Sequence, residues 1–496
     1  MISALLGLDV GTTTTKAILF DLDGNELTRA SSDPYRNQSP QAGWVEQDPE
    51  EIWQAVLFTI REIVNKSKSV QILALSMAIQ SGSLIPGDKQ GNAVYPMVTW
   101  LDGRTSELVK EWKQAGFEKH VKAISGWSLY PGLCLPTIAW LRDHMPEVFQ
   151  KASHYYSVND FITQRLTGKL VSNPSNAGGM QLVDIQSGQW SHELCEMAGI
   201  VPSMLSDLQP SGSLIGEIRE DVCAATGLGK GVKVVNGGHD QVCTALGLGI
   251  NDPGKYLLAC GTAWVFTGIL TSPDSMNLPG SLDLNFHAYP QRWTLSQSLG
   301  GLGASLEWWL RQAWAGVDGH INRREMFASL SDELISTTVN QELFFLPITG
   351  GHADPATTRR GSFVGLEFNH TRAMMARAIM ESAGYELRWA LEPVTHANQP
   401  VDRLWMVGGA AQSPYWPSIL ANITHLPIQI PDYDNWPALG AAILAGYGSG
   451  VFKDFDTALQ LFKKPSVEVM AEQKIMEKYD QGFEKYKEMI QLLLEK

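Results

Sequence analysis

The sequence predicts an α/β protein built from two similar domains that face each other across a cleft. Two short apolar runs at 4–9 and 16–20 flank a Gly/Thr turn, which is typical of a β-hairpin. A second strand, Gly-Thr turn and strand follow at 255–270, in the other half of the chain. A loop rich in Gly, Asn, Asp and Pro at 249–254 separates the two copies. Because Gly-Thr turns are common, coincidence also accounts for this repeat when it is taken alone.

Hydrophobic periodicity predicts the further elements. A turn at Asp23–Asn25 precedes a third strand, and the apolar residues from Ile52 to Val64 lie on one helical stripe. Residues 71–78 are typical of a buried strand, so the chain opens in the order β-β-β-α-β. An amphipathic helix is predicted at 470–494, and we expect it to pack against the body of the protein.

Composition narrows the class of protein. The chain has 496 residues, of which 44% are hydrophobic and 18% charged, and this favours a folded protein of several domains. The net charge of −14 argues against nucleic acid or an anionic membrane as a partner. The five scattered cysteines form no CxxC pair, so neither a disulfide framework nor a thiolate zinc site is predicted. We find no signal peptide and no bilayer-length apolar run, which predicts a cytoplasmic protein.

The first candidate site is the hairpin turn from Asp9 to Lys16. A carboxylate at a strand end can hold a hydrated Mg²⁺ ion. Gly11, Thr12 and Thr13 offer backbone N–H groups and hydroxyls to phosphate oxygens. An aspartate that caps an ordinary hairpin fits the same residues, so this turn alone leaves both interpretations open.

The second candidate is Asp240, which follows Gly237-Gly238 and opens a helix of small residues. A carboxylate at such a strand-to-helix turn can accept a hydroxyl proton as a general base. Aspartate is also a common helix N-cap, and the two interpretations stand side by side at this point.

The third candidate is the turn from Gly408 to Ser413, which follows an apolar strand. Its glycines would let a flat or anionic ligand approach the backbone closely, although a tight strand–helix turn explains them equally well. Other nucleotide-binding signatures are absent from the sequence. No Gly-Lys pair is followed by Ser or Thr as in a P-loop, and no GxGxxG follows the first strand.

Seven motifs, taken in order, make the chain resemble the FGGY carbohydrate kinases. They are DVGTTTTKAILFD (9–21), WVEQDP (44–49), WLDGR (100–104), GHDQ (238–241), CGT (260–262), GSFVGLEFNHTRAMMARAIME (361–381) and GGAAQSP (408–414). The resemblance implies two duplicated actin/hexokinase-like (ribonuclease H-like) ATPase domains around a central cleft. We therefore expect a sugar-binding N-terminal domain at 1–249, a nucleotide-binding C-terminal domain at 250–450 and a helical extension at 451–496.

The resemblance also implies roles for individual residues. Asp9 and Asp240 are expected to hold Mg²⁺, and Asp240 is expected to be the catalytic base toward a sugar hydroxyl. The residues expected to bind ATP are Gly11, Thr12, Thr13, Lys16, Gly261, Thr262, Gly408, Gly409, Ala410 and Ser413. The residues expected to bind the sugar are Gln80, Ser81, Gly82, Trp100, Asp102, Arg104, Asp240 and Gln241. Arg104 also fits a structural role as a brace of its own loop.

Among FGGY kinases, the chain is most similar to the branch that phosphorylates pentuloses such as D-xylulose and the similar gluconate kinases. Ser81-Gly82 stands where xylulokinases have Met-His, which predicts a roomier sugar pocket. Thr137 replaces a lysine, and the loop around His352 also departs from the usual pattern. Alternatives are a gluconate, tetritol or autoinducer-2 kinase, or a catalytically weak sensor of sugar and nucleotide. The resemblance also suggests a homodimer.

Overall fold

The computed structural model describes residues 2–261, 263–273, 282–314, 323–339, 342–347, 361–397 and 399–494. Within these residues the chain forms two seven-stranded mixed sheets with helices packed against them. The predicted two-domain α/β architecture is therefore confirmed. None of the described helices carries an apolar stretch long enough to cross a membrane.

The first half of the chain builds the first sheet, in the strand order β11-β12-β5-β1-β2-β3, with β13 also paired to β5. The strands of this half of the chain are β1 (Ile2–Val10), β2 (Thr15–Asp21), β3 (Glu26–Ser31), β4 (Glu46–Gln47), β5 (Val70–Ile79), β6 (Ile85–Gly87), β7 (Met97–Val98), β8 (His154–Tyr156), β9 (Val171–Ser172), β10 (Asp207–Leu208), β11 (Leu214–Glu217), β12 (Lys233–Val235) and β13 (Gly238–His239), of which β4, β6, β7, β8, β9 and β10 lie outside the first sheet and form two-stranded pairs. Its helices are α1 (Pro49–Lys66), α2 (Ser106–Gln114), α3 (Phe117–Ser125), α4 (Cys134–His144), α5 (Pro146–Lys151), α6 (Val158–Thr167), α7 (Pro174–Gly178), α8 (His192–Ala198), α9 (Glu220–Thr226) and α10 (Asp240–Gly247), with a 3₁₀ turn at Pro202–Met204.

The second half builds the second sheet, in the order β16-β17-β15-β14-β20-β21-β22. The strands of this half of the chain are β14 (Gly254–Cys260), β15 (Trp264–Leu270), β16 (Asp283–Phe286), β17 (Trp293–Gly300), β18 (Phe344–Leu346), β19 (Ser362–Val364), β20 (Val401–Val407), β21 (Ile428–Pro431) and β22 (Ser466–Val469), of which β18 and β19 form a separate pair. Its helices are α11 (Leu302–Ala313), α12 (Arg323–Leu334), α13 (Arg372–His396), α14 (Trp416–Thr424), α15 (Trp436–Gly448), α16 (Phe455–Leu461) and α17 (Gln473–Leu494), with a 3₁₀ turn at Gly409–Gln412.

Both sheets share one arrangement at their centre, an antiparallel hairpin beside a parallel strand. In the first sheet, β1 pairs antiparallel with β2 and parallel with β5. In the second sheet, β14 pairs antiparallel with β15 and parallel with β20. The turn after Val10 and the turn after Cys260 therefore hold equivalent places, as the repeat in the sequence predicted.

The segment 451–496 is more than the predicted helical extension. Its terminal helix α17 is present and buries an apolar stripe that includes Tyr479 and Phe483 in the core of the second half, which confirms the predicted amphipathic helix. The segment also supplies β22, which pairs antiparallel with β21 at the edge of the second sheet. The alternation in Ser466–Val469 is too short to predict a strand, because pairing with β21 decides its conformation.

Helix α15 comes from the second half of the chain but packs on β1 and β5 of the first sheet and on α10. Glycines make this approach possible. A Cβ atom at Gly7 would lie 1.9 Å from the carbonyl oxygen of Ala438, and one at Gly440 would lie 2.0 Å from the carbonyl oxygen of Cys243. Backbone atoms cannot move aside without shifting a whole element. These glycines therefore set the distances between β1, α15 and α10, and both β1 and α10 carry a candidate carboxylate.

The variant Gly440→Ala tests this contact. Alanine normally stabilises a helix by about 0.5–1 kcal/mol relative to glycine. Here its Cβ must displace the α10 backbone, so we expect the free energy of unfolding to fall by about 2–4 kcal/mol. Urea denaturation followed by tryptophan fluorescence measures the change. In the control Gly229→Ala the new Cβ meets no atom within 4 Å, and a similar loss in that variant would contradict the contact.

Candidate active site

The carboxyl ends of neighbouring parallel strands bring Asp9 and Asp240 together. Asp9 on β1 lies opposite Ala78 of β5, and Gly238 on β13 is also paired with Ala78. Asp240 follows two residues after Gly238, as the first residue of α10. The negative charge of Asp240 raises the pKa of Asp9, so the two carboxylates lie within electrostatic reach of each other. The pair is therefore positioned by the register of three strands.

Burial dominates the electrostatics of Asp9, whose side chain is 14% exposed. Burial raises the pKa of Asp9 to about 7, whereas Lys16, directly opposite on β2, acts to lower it. The Lys16 Nζ atom lies 3.8 Å from Asp9 Oδ2, so it compensates the charge only in part. A divalent cation would supply the compensation that is missing. The buried carboxylate of Asp9 therefore fits its expected role as a ligand of Mg²⁺.

Asp240 is the more accessible of the two carboxylates, with 27% of its side chain exposed. Its Oδ1 atom accepts a hydrogen bond from the Gln241 N–H at 2.6 Å, and His239 Nε2 lies 3.0 Å from the same oxygen. No hydrogen bond from a described residue reaches Oδ2. The N-cap of α10 is His239, so the side chain of Asp240 does not serve as the N-cap of this helix.

A chain of hydrogen bonds joins the turn after β1 to the loop that carries Trp100. Buried Gln80 donates from Nε2 to the Gly11 carbonyl at 3.3 Å and accepts from Ser83 Oγ at 3.3 Å. Ser83 Oγ in turn accepts from the Trp100 N–H at 3.2 Å. The indole Nε1 of Trp100 donates to Thr12 Oγ1 at 3.0 Å. Because Trp100 is 42% exposed, one part of its ring is left free to lie beside a ligand.

Asp102 and Arg104 lie inside this loop, with no exposed side-chain surface. The Arg104 guanidinium forks onto Asp102, with Nε–Oδ1 at 2.8 Å and Nη2–Oδ2 at 2.9 Å. Its Nη2 also donates to Glu46 Oε1 at 2.6 Å, and its central carbon lies 3.8 Å from the Trp44 ring centroid. This geometry fits the interpretation of Arg104 as a brace. Direct contact of Asp102 or Arg104 with a sugar stays a prediction.

Neighbouring residues fill the space around Ser81-Gly82. Ser81 Oγ donates to the Asn176 carbonyl oxygen at 2.9 Å. Gly82 has a φ of +86°, and a Cβ atom there would lie 2.6 Å from Leu133 Cδ2. Leu133 thus occupies the volume that a side chain at position 82 would need. The expectation of a roomier pocket therefore finds no support at Gly82.

Three glycines at strand ends have open space beside Cα. A Cβ atom at Gly11 or Gly261 would come no closer to another described residue than an ordinary 3.5 or 3.6 Å, and one at Gly409 would meet nothing within 4 Å. Crowding by the described residues does not account for glycine at these places, whereas close approach of phosphate groups to the backbone would account for it. Gly408 differs, because its φ is +96° and a Cβ atom would lie 2.5 Å from the Cys260 carbonyl oxygen.

A cavity of about 600 Å³ opens beside two of these glycines, in the second half of the chain. Gly261, Gly409, Ala410 and Ser413 line it, together with apolar side chains of α11 and α12 and Trp416 of α14. The volume lies in the range of small-ligand sites. Apolar walls suit a nucleobase and the exposed backbone suits phosphates. The cavity therefore fits a nucleotide, and it unites four residues that the sequence predicted for this part.

The remaining residues singled out in the sequence differ in their burial and in their contacts. Thr13 is exposed, and its carbonyl oxygen accepts from the Tyr35 N–H at 2.8 Å. Thr137 is buried on α4. Thr262 and His352 lie outside the described residues.

Sequence reasoning missed Gln47 and Ser83. Gln47 Nε2 donates to the Thr12 carbonyl oxygen at 2.9 Å. The Oε1 atoms of Gln47 and Gln241 are buried and have no hydrogen-bond partner among the described residues. Buried acceptors of this kind call for a donor such as a ligand hydroxyl or water. Gln47 lies in the WVEQDP motif, so that motif was the signal available, whereas nothing in the sequence marked Ser83.

The variant Asp9→Asn tests the buried charge in metal-free buffer. Because the pKa of Asp9 is raised, the folded protein holds this proton more tightly than the unfolded chain, and stability falls as pH rises up to about 7. Asparagine carries no charge at any pH. Its stability advantage over the wild type should therefore grow by about 1–2 kcal/mol between about pH 5.5 and about pH 8. Thermal unfolding in EDTA measures this, and parallel profiles for the two proteins would refute it.

Known proteins are similar to this chain along most of its length. The model of the FGGY carbohydrate kinase N-terminal domain matches residues 4–247, and that of the C-terminal domain matches residues 257–449. The xylulose kinase of Staphylococcus xylosus is 28% identical over 91% of this chain and 92% of its own length. The gluconokinase of Bacillus subtilis (strain 168) is 27% identical over 92% of this chain and 90% of its own length.

A solved structure extends the likeness to three dimensions. The ligand-bound xylulose kinase from Lactobacillus acidophilus superimposes with a TM-score of 0.90 at 25% identity, and the match covers 99% of each chain. Its fold is therefore shared along nearly the whole length. Together with the two domain matches, this shows that the chain belongs to the FGGY family of carbohydrate kinases, which are ATP-dependent enzymes of the actin/hexokinase-like fold.

Proposed function

We propose that this kinase transfers the γ-phosphoryl group of ATP to a hydroxyl of a pentulose, with D-xylulose as the first candidate and Asp240 as the general base. The observation that carries the proposal is the meeting of Asp9 and Asp240 at adjacent strand ends. The nucleotide-sized cavity at the equivalent strand ends of the second half supports it. Xylulose kinases among the similar proteins support a pentulose as the acceptor.

Asp240 has the properties that a base toward a sugar hydroxyl needs. Its Oδ1 is held by the Gln241 N–H and lies next to His239, so the orientation of the carboxylate is set. Its Oδ2 receives no hydrogen bond from the described residues and can accept a proton. General-base assistance of this kind contributes about 10²–10⁴-fold to a rate.

The residues that face the phosphates supply positioning and charge. Gly11 and Gly409 leave backbone space at the two strand-end turns. Asp9 and Asp240 would hold Mg²⁺, and the ion supplies charge neutralisation on the ATP phosphates when it is bound. The described residues contain no cluster of three or more potential side-chain ligands for a metal. Two carboxylates are consistent with Mg²⁺, which keeps several water ligands and takes few from the protein.

The cationic side chains of the site already face acidic partners, which favours an uncharged sugar as the phosphoryl acceptor. A sugar acid such as gluconate would need a positive partner for its carboxylate. Among the predicted site residues, Lys16 is already engaged in part by Asp9 at 3.8 Å, and buried Arg104 pairs with Asp102 and Glu46. This charge distribution places gluconate behind the pentuloses, although gluconokinases are similar to the chain.

A panel of acceptors tests the substrate class. ADP release is measured with D-xylulose, other ketopentoses, gluconate, tetritols, autoinducer-2 and glycerol. We expect the highest kcat/KM with a ketopentose and at least about 10-fold less with gluconate, because a buried carboxylate without a cation costs several kcal/mol. A gluconate preference would refute the charge argument. Absence of turnover with every ketopentose would refute the proposed function.

The variant Asp240→Asn tests the base. Asparagine has nearly the same shape and can still hydrogen-bond a hydroxyl, but it cannot accept the proton. We expect kcat to fall by about 10²-fold or more, while the melting temperature and the KM for the sugar stay close to those of the wild type. Steady-state kinetics and thermal unfolding supply the measurements.

A matched control comes from Asp221→Asn, an exposed aspartate at the start of α9 that pairs with Arg219. This variant should keep wild-type kinetics. If Asp240→Asn also keeps its kcat, Asp240 has no part in proton transfer.

A further inference from the structure

A second cavity, of about 580 Å³, lies at the far end of the helix that begins with Asp240. We call it the basic cavity and define it by its four cations, Lys255, Arg403, Lys463 and Lys464. One wall is the end of α10 and the loop that follows it, from Gly247 to Asn251. The other walls come from β14, β20, β21, α15 and α16 of the second half. The basic cavity shares no lining residue with the nucleotide-sized cavity.

The local charge of the basic cavity is opposite to that of the protein. The chain carries a net charge of −14, yet Asp456 is the one acidic residue among the described residues that line this cavity. Lys463 is exposed and pairs with no acidic group among the described residues. Lys464 donates to the Gly24 carbonyl at 2.6 Å, which is a neutral acceptor. Two ammonium groups are therefore left without a direct ionic partner in the described structure.

The other two cations are neutralised only in part. Lys255 Nζ lies 3.8 Å from Asp252 Oδ2, and Arg403 Nη1 lies 3.5 Å from Glu468 Oε1. Both distances are long compared with the 2.7–2.9 Å of a strong charge-assisted hydrogen bond. Burial lowers the pKa of Lys464, although the nearby carboxylates of Glu26 and Asp21 act to raise it. The ammonium is therefore partly desolvated and gains more from an anion than an ammonium in bulk water does.

The uncharged lining adds a surface for an organic group. Trp405 and Gln429 lie on neighbouring strands, and Trp436 forms the first residue of α15. An indole face packs on a sugar ring or another flat group, and an amide can hydrogen-bond its hydroxyls. The N-terminal, positive end of the 13-residue helix α15 also reaches this wall.

We propose that the basic cavity binds a small phosphorylated metabolite at a site separate from both the nucleotide-sized cavity and the carboxylate pair. The phosphate contacts Lys255, Lys463 and Lys464, and the organic part lies against Trp405, the partly exposed tryptophan of the cavity. Such a ligand touches both halves of the chain, because Gly247 to Asn251 belong to the first half and the cations to the second. The inference does not depend on which sugar the enzyme phosphorylates.

Calorimetric titration of the full chain tests the site. The protein is first saturated with ADP, so that the nucleotide-sized cavity is filled, and is then titrated with ribose 5-phosphate. Ribose is the neutral probe that lacks the phosphate. We expect saturable binding of ribose 5-phosphate and none of ribose. Absence of saturable ribose 5-phosphate binding, or equal binding of ribose, would overturn the proposal.

Variants locate the binding. Lys255→Gln combined with Lys463→Gln removes two cations from the cavity, and we expect the Kd for ribose 5-phosphate to rise by about 10-fold or more. The matched control, Lys68→Gln combined with Lys151→Gln, removes two exposed lysines that do not line the cavity, and the Kd should stay at the wild-type value. Equal affinity of the two double variants would show that the phosphate binds elsewhere, for example as a product analogue beside Asp240, and would overturn the assignment.

Discussion

Direct backbone contact between β1, α15 and α10 is the constraint on which the site depends. Gly7 and Gly440 allow carbonyl oxygens to lie where a side chain would otherwise stand. Gly247, the last residue of α10, adds a third contact, since a Cβ atom there would lie 2.8 Å from the Trp436 carbonyl oxygen. Because α15 belongs to the second half and the other two elements to the first, one helix ties the halves together. A methyl group at Gly440 or Gly247 would push α10 away from α15 and would shift Asp240 with it, whereas one at Gly7 would push α15 away from β1.

The electrostatic energy of the site is least favourable at the pair of carboxylates, Asp9 and Asp240. Two acidic groups stand at neighbouring strand ends, one of them largely buried, and Lys16 offsets their charge only in part. Local rules are commonly broken where a ligand supplies the compensation, and a divalent cation held by Asp9 would supply it here. The raised pKa of Asp9, which burial causes, is consistent with the proposed metal site.

The residues expected to bind sugar fall into two groups in the structure. Trp100 and Asp240 present exposed surface, whereas Gln80, Asp102 and Arg104 are buried and contact other protein groups. The buried residues position the indole of Trp100, because they hold the loop that carries it. In the WLDGR motif, the hydrogen bonds of the buried residues thus fix the position of one exposed side chain, that of Trp100. The basic cavity shows the reverse case, since its cations come from separate elements and belong to no motif.

The sequence by itself determined the elements whose signals are local. The hairpin at Asp9, helix α1 and helix α17 follow from periodicity, the three candidate turns follow from their glycines, and the repeat predicts two similar domains. The family resemblance added the type of fold and the expected roles of the residues. Only the tertiary structure decided which elements meet: α15 on the first sheet, β22 on β21, Leu133 beside Gly82, and the four cations around one cavity. These contacts join residues that are far apart in the chain. They depend on the burial of side chains and on close packing of backbone segments. A local sequence pattern does not predict these contacts, because burial and backbone distance both depend on residues that lie far away in the sequence.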